Sequence, residues 1–280
     1  MFDVYQSCRT VNAGEFTISV TDHGPADGDV VLMIHGFPDS ARLWRHQIPV
    51  LVEAGYRVVA PDLRGFGRSD RPGRVADCGM FAMCTDMVAV LDDIGADRAH
   101  VVGHDWGAAV AWSLAGMARD RVRSLTAISV GHPGAFAAAG LAQREKSWYM
   151  LLFQFEAVAE EWLSGNDWYW LRRWTHSEEI EHWIADLSRP GALTSALNIY
   201  RANMPPESLL SSPLTTPVEV PVLGVWSTDD VALTEKQMAG SEAFTTDEWR
   251  YERIEGVGHW IPLEAPDRLN TLLIEWFGSH

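Results

Sequence analysis

The chain has 280 residues, of which 47% are hydrophobic, and its formal net charge at pH 7 is −16. This length and apolar content suffice for one α/β core with an insertion. The acidic balance, with no basic stretch, excludes nucleic acid and anionic membrane surfaces as predicted partners.

The first part of the chain alternates apolar runs with turns and one helical pattern. Residues 5–22 predict a hairpin at the edge of a larger sheet, with a tight turn at an Asn-Ala-Gly sequence. A continuous apolar run at 30–34 is typical of a parallel strand that is covered on both faces, and residues 56–62 supply another strand. Between 85 and 94, apolar residues recur at three-to-four spacing, which predicts an amphipathic helix.

The next stretch joins a short apolar run to an alanine-rich helix through the motif Gly-x-Asp-x-Gly at 103–107. This spacing matches the nucleophile elbow, in which a sharp strand-to-helix turn lifts one side chain above the sheet and glycines permit close approach. The elbow carries Asp105 instead of a serine. A carboxylate is already ionised at neutral pH, so it can attack an electrophilic carbon without a base and form an alkyl ester. A plain helix N-cap at Asp105 would not account for glycines on both sides.

The loop after the first buried strand begins with His-Gly-Phe-Pro at 35–38. Ligands of open α/β sheets bind beyond the carboxyl ends of the strands, so the N–H of Phe37 is predicted to point toward Asp105. Together with the N–H of Trp106 it would form an oxyanion hole. His35 is interpreted as a residue that braces the loop and not as a catalytic one.

After a short strand at 125–129 the pattern changes. Residues 133–216 contain no strand-like run and carry six of the thirteen tryptophans, on helical stretches. An aromatic helical block inserted into an α/β core is typical of a lid over an apolar pocket, although most of its tryptophans suit simple helix packing. The predicted organisation is a core of residues 1–132 and 217–280 with a lid of residues 133–216.

The last part of the chain returns to strands. An apolar run at 222–226 precedes Asp229 and Asp230, either of which could orient a histidine. A further strand precedes the glycine-flanked His259, and a closing helix is predicted at 265–277. His259 is the predicted base, because the chain order nucleophile, acid, histidine is that of α/β hydrolases.

These motifs resemble those of the α/β-hydrolase-fold epoxide hydrolases, and the resemblance extends over nearly the whole chain. His-Gly-Phe-Pro at 35–38 is similar to that family's oxyanion motif, and Gly-His-Asp-Trp-Gly at 103–107 to its nucleophile motif. Asp230, in Asp-Val-Ala-Leu, matches the family's acid and His259, in Gly-His-Trp, its base, with Asp229 as the alternative acid. The resemblance implies a mostly parallel twisted sheet flanked by helices, with an inserted helical lid.

Two lid segments carry the part of the resemblance that concerns the substrate. Ser-Trp-Tyr-Met-Leu-Leu-Phe-Gln at 147–154 supplies Tyr149, and Leu-Asn-Ile-Tyr-Arg-Ala-Asn-Met at 197–204 supplies Tyr200. The family uses two such tyrosines to hydrogen-bond the epoxide oxygen and to protonate it as the ring opens. The chemistry needs these donors, because a strained-ring alkoxide leaves poorly without a proton. Either tyrosine alone could serve lid packing, but the presence of both in these two contexts favours catalysis.

Two other functions compete with this interpretation. Haloalkane dehalogenases share the fold and the aspartate, and they hold the leaving halide with a tryptophan at the position of Trp106. They usually add an asparagine at the position of Phe37 or a lid tryptophan, for which Trp148 is the candidate here; fluoroacetate-type enzymes usually have an arginine in place of Trp106. The other alternative is a non-catalytic member of the fold whose lidded pocket only binds a small molecule.

The resemblance therefore implies hydrolysis of a small apolar epoxide to a vicinal diol. Asp105 would form a hydroxyalkyl ester, which water activated by His259 would cleave. No cofactor and no metal are implied, and the partners are the epoxide and water. The sequence is compatible with a homodimer.

The cysteines and the N-terminal residues bear on the cellular compartment. Cys8, Cys78 and Cys84 cannot all pair and have no metal-ligand spacing with histidine, which indicates a reduced, cytoplasmic protein. Residues 1–6 lack a basic start followed by an apolar core, and no later run approaches the length of a membrane span. The sequence therefore predicts neither a targeting segment nor a transmembrane helix.

Overall fold

A computed structural model describes residues 2–210 and 216–280 of the chain. The strands in these residues are β1 (Cys8–Ala13), β2 (Phe16–His23), β3 (Val30–Ile34), β4 (Arg57–Pro61), β5 (Ala99–His104), β6 (Val122–Ile128), β7 (Val222–Ser227) and β8 (Trp249–Ile254). They form one sheet in the order β1-β2-β4-β3-β5-β6-β7-β8. The hairpin β1–β2 lies at one edge, as predicted, and β2 pairs antiparallel with β4. The other pairings of the sheet are parallel.

Helices connect most of the strands. They are α1 (Ile48–Glu53), α2 (Met80–Asp93), α3 (Trp106–Met117), α4 (Pro133–Ala138), α5 (Leu141–Lys146), α6 (Trp148–Leu152), α7 (Val158–Thr175), α8 (Ile180–Leu187), α9 (Ala192–Asn203), α10 (Glu235–Ala239), α11 (Ile261–Glu264) and α12 (Pro266–Ser279). Short 3₁₀ helices span Val4–Ser7, Ala41–His46, Val75–Cys78, Arg119–Arg121, Pro206–Leu210 and Gly240–Phe244. Within the described ranges, no helix is both long enough and apolar enough to cross a lipid bilayer.

Helices cover both faces of the sheet, which is why its strands read as continuous apolar runs. Successive side chains of a strand point to opposite faces. In β3, Leu32 and Ile34 belong to a buried cluster that includes residues of α2 and α3. Val31 and Met33 belong to a second cluster, which includes residues of α1 and α12. All five residues of β3 are accordingly apolar.

The carboxyl ends of the central strands meet at one edge of the sheet. Ile34 of β3 lies opposite Gly103 of β5, and His104 of β5 lies opposite Ile128 of β6. The loop after β3, the turn after β5 and the loop after β6 therefore open into one space, where open α/β sheets bind their ligands.

In the part of the chain between β6 and β7 that the structure describes, the regular elements are helices joined by loops, apart from one isolated bridge between Val218 and Thr245. This part contains α4 to α9 and the 3₁₀ helix Pro206–Leu210. The backbone of α7 is interrupted by four residues with non-helical angles, Gly165, Asn166, Asp167 and Trp168. Residues 211–215, which belong to the range predicted for the lid, lie outside the described residues. The architecture is the predicted one: a mostly parallel sheet flanked by helices, with a helical insertion.

One helix begins earlier than its sequence pattern predicts. α2 starts at Met80 and not near residue 85, and its N-cap, Gly79, offers no capping side chain. The N–H of Met80 instead donates to Oδ1 of Asn203, at the end of α9, over 2.7 Å. The first turn is thus capped by a residue distant in the sequence, and a local start signal is lacking.

Candidate active site

The turn between β5 and α3 holds Asp105 in an unusual backbone conformation. Its φ is 53° and its ψ is −122°, a region that residues with a side chain rarely adopt. The backbone around it is fixed, because the carbonyl of Asp105 accepts from the N–H of Ala108 at 2.9 Å and of Ala109 at 3.2 Å. Such strain is typical of sites where a side chain must be presented in one direction.

The glycines of the elbow are required by close contacts between backbones. A Cβ on Gly103 would lie 2.2 Å from the carbonyl oxygen of Gly107, and one on Gly107 would lie 2.0 Å from the carbonyl oxygen of Ile34. A Cβ on Gly36 would lie 2.4 Å from Oδ1 of Asp105. Helix α3 can therefore start directly against β5 and β3 only because side chains are absent here.

The two oxygens of the Asp105 carboxylate have different surroundings. Oδ1 accepts a hydrogen bond of 2.8 Å from the N–H of Phe37. The backbone N–H of Trp106 also helps to lower the pKa of this carboxylate. Oδ2 lies 3.5 Å from Nε2 of His259. The N–H of Phe37 thus holds Oδ1, and Oδ2 is the oxygen on the side of the histidine.

Of the two candidate acids, Asp230 is the one that contacts His259. Nδ1 of His259 lies 2.9 Å from Oδ2 of Asp230. The other oxygen of Asp230 accepts from the N–H groups of Ala232 and Leu233, each at 2.8 Å. Asp229 is exposed, and the hydroxyl of Thr228 donates to it.

Two residues that sequence reasoning missed fix the backbone of His259. Its carbonyl oxygen accepts from Oγ of Ser129 at 3.0 Å, and Nε2 of His104 lies 2.9 Å away. Because a carbonyl can only accept, Nε2 of His104 must carry the hydrogen. Burial, together with the charge of His259, lowers the pKa of His104 to about 4, so it stays neutral. Neither residue stands out in sequence, since His104 is simply the last residue of β5 and Ser129 the first residue after β6.

The charges of the site favour an ion pair between Asp105 and His259. Burial lowers the pKa of His259, but the carboxylates of Asp230 and Asp105 outweigh it and raise that pKa to about 10. Burial also raises the pKa of Asp105, while the hydrogen bond and the charge of His259 outweigh it and lower that pKa below its usual value. At neutral pH the site therefore contains an imidazolium between two carboxylates.

Both predicted lid tyrosines lie beside the elbow. Tyr149 on α6 is 2% exposed, Tyr200 on α9 is 1% exposed, and their ring centroids are 6.1 Å apart. The ring of Tyr200 lies 5.0 Å from that of Trp106 and 5.5 Å from that of Phe37. Burial, and then the negative charge of Asp105, raises the pKa of both phenols well above the usual value. They are therefore protonated donors in the resting site.

Aromatic side chains surround the two tyrosines. Phe153 lies 4.9 Å from the ring of Tyr200 and 5.4 Å from that of Tyr149. The ring of Trp174 lies 4.5 Å from Tyr149. Trp148, the candidate for a second halide donor, is 52% exposed and packs against Trp162. The walls of the site are thus apolar, which suits an apolar substrate.

His35 has the bracing position that was expected of it. Its Nδ1 lies 2.9 Å from the carbonyl oxygen of Gly36, and its Nε2 accepts from the N–H of Leu63 at 2.9 Å. The ring therefore ties the loop after β3 to the loop after β4. Among the described residues, no group of three His, Cys, Asp or Glu side chains is arranged to hold a metal ion.

The sheet, the strand-to-helix turn that carries Asp105 and the buried Asp–His–Asp set define an α/β hydrolase. A family model described as the alpha/beta hydrolase fold matches residues 29–266. Epoxide hydrolase A of Mycobacterium tuberculosis is 32% identical, over 96% of each chain. With a relative this similar over almost its full length, the chain belongs to the epoxide hydrolase family of this fold.

Solved structures agree with this assignment. The crystal structure of Epoxide Hydrolase A from Mycobacterium thermoresistibile has a TM-score of 0.82 and 30% identity, and the match covers 96% of this chain and 97% of that one. A second solved structure has a TM-score of 0.88 and 29% identity over the whole of both chains. It comes from work on novel epoxide hydrolases of the alpha/beta hydrolases superfamily in metagenomes from hot environments.

Proposed function

We propose that this chain hydrolyses a small apolar epoxide to a vicinal diol through a hydroxyalkyl ester on Asp105. The observation that carries the proposal is the convergence of a carboxylate, a histidine and two buried phenols on one site. A carboxylate nucleophile needs an electrophilic carbon, and the two phenols suit an electrophile whose leaving group is an oxygen in need of a proton.

Ring opening begins with attack by Oδ2 of Asp105 on one epoxide carbon. Oδ1 is engaged by the N–H of Phe37, so Oδ2 is the available oxygen. The bond between that carbon and the ring oxygen breaks, and the oxygen takes a proton from Tyr149 or Tyr200. The raised pKa of these phenols keeps them protonated until the alkoxide, a stronger base, develops.

Ester formation prepares His259 for the second step. Alkylation removes the charge of Asp105, one of the two carboxylates that raise the pKa of His259. That pKa then falls, so the imidazolium can release its proton and become a base. The proton that it releases returns to the phenolate of the tyrosine that protonated the substrate.

Hydrolysis follows when His259 takes a proton from a water that attacks Cγ of Asp105. The negative charge develops on Oδ1, where the N–H groups of Phe37 and Trp106 stabilise it. Collapse of this intermediate breaks the bond between Cγ and the ester oxygen. The diol leaves with the proton from His259.

The proposal includes a division of labour between a lid of residues 133–216 and a core of residues 1–132 and 217–280. It is supported by the positions of Tyr149 and Tyr200, which reach the elbow from two helices of the insertion. A cytoplasmic location is supported by the three free cysteines. The homodimer stays a prediction.

The test is the intact mass of a His259→Gln variant after incubation, separately, with an aryl epoxide and with a bromoalkane. This variant should form the ester and fail to cleave it, so its mass should rise by that of the whole epoxide. Peptide mapping should place the gain on Asp105, and Asp105→Ala should show none. Absence of any epoxide adduct on Asp105 would overturn the proposal. If the protein mass instead rises only after incubation with the bromoalkane, and by the mass of the alkyl group, the result would favour a haloalkane dehalogenase.

A further inference from the structure

Helix α5 of the insertion contacts the loop that carries Asp230. Lys146 and Gln143 are one turn apart on α5 and so lie on the same face of it. The ammonium of Lys146 donates to the carbonyl oxygen of Asp230, and also to that of Leu233 at 3.2 Å. Neither Lys146 nor Gln143 takes part directly in the proposed ring opening or ester hydrolysis.

Gln143 adds a second set of contacts to the same loop. Its side chain is 1% exposed. Nε2 donates to the carbonyl oxygen of Ala232 at 3.0 Å, and Oε1 accepts from the N–H and the hydroxyl of Thr234 at 2.9 and 2.8 Å. Nε2 also donates to Oγ of Ser147, at 2.8 Å, which fixes the amide orientation.

The polar groups of this loop therefore point in two directions. The N–H groups of Ala232 and Leu233 bind the carboxylate of Asp230. The carbonyls of Asp230, Ala232 and Leu233 bind α5. Since Nδ1 of His259 depends on Oδ2 of the same carboxylate, a shift of the loop would turn the imidazole as well.

We propose that Lys146 and Gln143 are positioning residues for Asp230, through which helix α5 of the lid controls hydrolysis of the ester. The lid then serves both half-reactions: α6 and α9 supply the acids for ring opening, and α5 aligns the acid that orients the base. This inference rests on the proposed function.

The two half-reactions respond differently to loss of this contact. Tyr149 follows Lys146 closely in sequence, yet its ring is held by other lid residues, Trp174 at 4.5 Å and Phe153 at 5.4 Å. Ester formation should therefore survive a change at Lys146. Ester cleavage should not, because it needs the Asp230–His259 contact in alignment.

The test separates the two rates in a Lys146→Met variant. The enzyme is mixed rapidly with an aryl epoxide and quenched in acid, and the rise and decay of the Asp105 adduct are followed by intact mass. We expect cleavage to slow about tenfold and ester formation to stay within about twofold, as loss of a charge-assisted hydrogen bond to a positioning loop would produce. Equal slowing of both steps, or slowing of neither, would overturn the inference.

Three further variants make the result specific. Arg144→Met removes a cation from the exposed side of the same helix and should change neither rate. Lys146→Arg can still donate to both carbonyls and should restore most of the cleavage rate; failure to do so counts against the assignment. Lys146→Gln, a milder change, should give an intermediate rate and replaces the Met variant if that one does not fold. A wild-type chain that forms no ester would defeat the proposed function, whereas an ester cleaved normally in the Lys146 variants would defeat only this inference.

Discussion

Tyr149 and Tyr200 approach the elbow from separate helices, so each can supply part of the proton donation. We expect Tyr149→Phe or Tyr200→Phe to slow ester formation by about a hundredfold, at the low end of the usual contribution of a general acid, and the double variant to abolish it. The measurement is the rate at which the epoxide adduct appears. Tyr169→Phe, at a lid residue that is 48% exposed, is the matched control and should leave the rate of ester formation unchanged. Rapid ester formation in the double variant would refute the role of both phenols.

The ion pair of His259 links stability to pH. Its pKa is about 10 in the folded chain against 6.5 for the free side chain, because the two carboxylates outweigh burial. A folded pKa above the unfolded one means that the stabilisation is complete below pH 6.5 and is lost as pH rises through about 10. In urea denaturation, the free energy of unfolding should fall over that window more steeply for the wild-type chain than for His259→Gln. Parallel curves would contradict the ion pair.

At the scale of the element, helix α3 offers a matched pair of glycines. A methyl group on Gly107 would lie 2.0 Å from the carbonyl oxygen of Ile34, whereas nothing lies within 4 Å of one on Gly116. We expect Gly107→Ala to destabilise the fold by about 3 kcal/mol or more through overpacking. Gly116→Ala should instead stabilise it by roughly 0.5–1 kcal/mol, because alanine favours the helix. The free energy of unfolding is measured by urea denaturation. A Gly107→Ala chain as stable as the wild type would disprove the close approach of residue 107 to the carbonyl of Ile34.

At the scale of the whole molecule, one carboxylate of the insertion forms ion pairs with two arginines of the core. Glu179, the residue before α8, binds Nε of Arg42 at 3.2 Å and a terminal nitrogen of Arg45 at 2.7 Å, both from the 3₁₀ helix Ala41–His46. Glu179→Gln should lower the free energy of opening of α8 by about 1–2 kcal/mol, seen as faster amide hydrogen exchange there with the sheet unchanged. Glu178→Gln, at an exposed neighbour, is the control. Unchanged exchange in α8 would rule out this attachment.

The sequence predicts the sheet and the elbow well, for physical reasons that are local. A strand that is covered on both faces, such as β3, is visible as a continuous apolar run, and the elbow needs glycines at two fixed positions beside Asp105. His259 is found by its place after the last strand. The family resemblance selects Asp230 as its acid, but residue types alone leave the neighbouring Asp229 as an alternative, and only burial and the contact with His259 separate the two.

Other features depend on contacts between distant residues and leave no local signal. The start of α2 is capped by Asn203, far along the chain. Ser129 and His104 support His259 only once three strand ends are brought together. Gln143 reads as an ordinary helix residue, yet it binds the loop that carries Asp230. Side-chain to backbone bonds of this kind become visible only in the folded chain.

The unequal oxygens of Asp105 have a consequence for isotopes. Under the proposed mechanism each turnover gives Oδ2 to the diol and replaces it with an oxygen from water, while the N–H of Phe37 retains Oδ1. In water enriched in heavy oxygen, the first diol formed by each molecule should carry a light atom from the protein, and every later one a heavy atom. Asp105 itself should take up one heavy oxygen and no second one, however many turnovers follow. The mass of the chain would therefore show that it has turned over at least once.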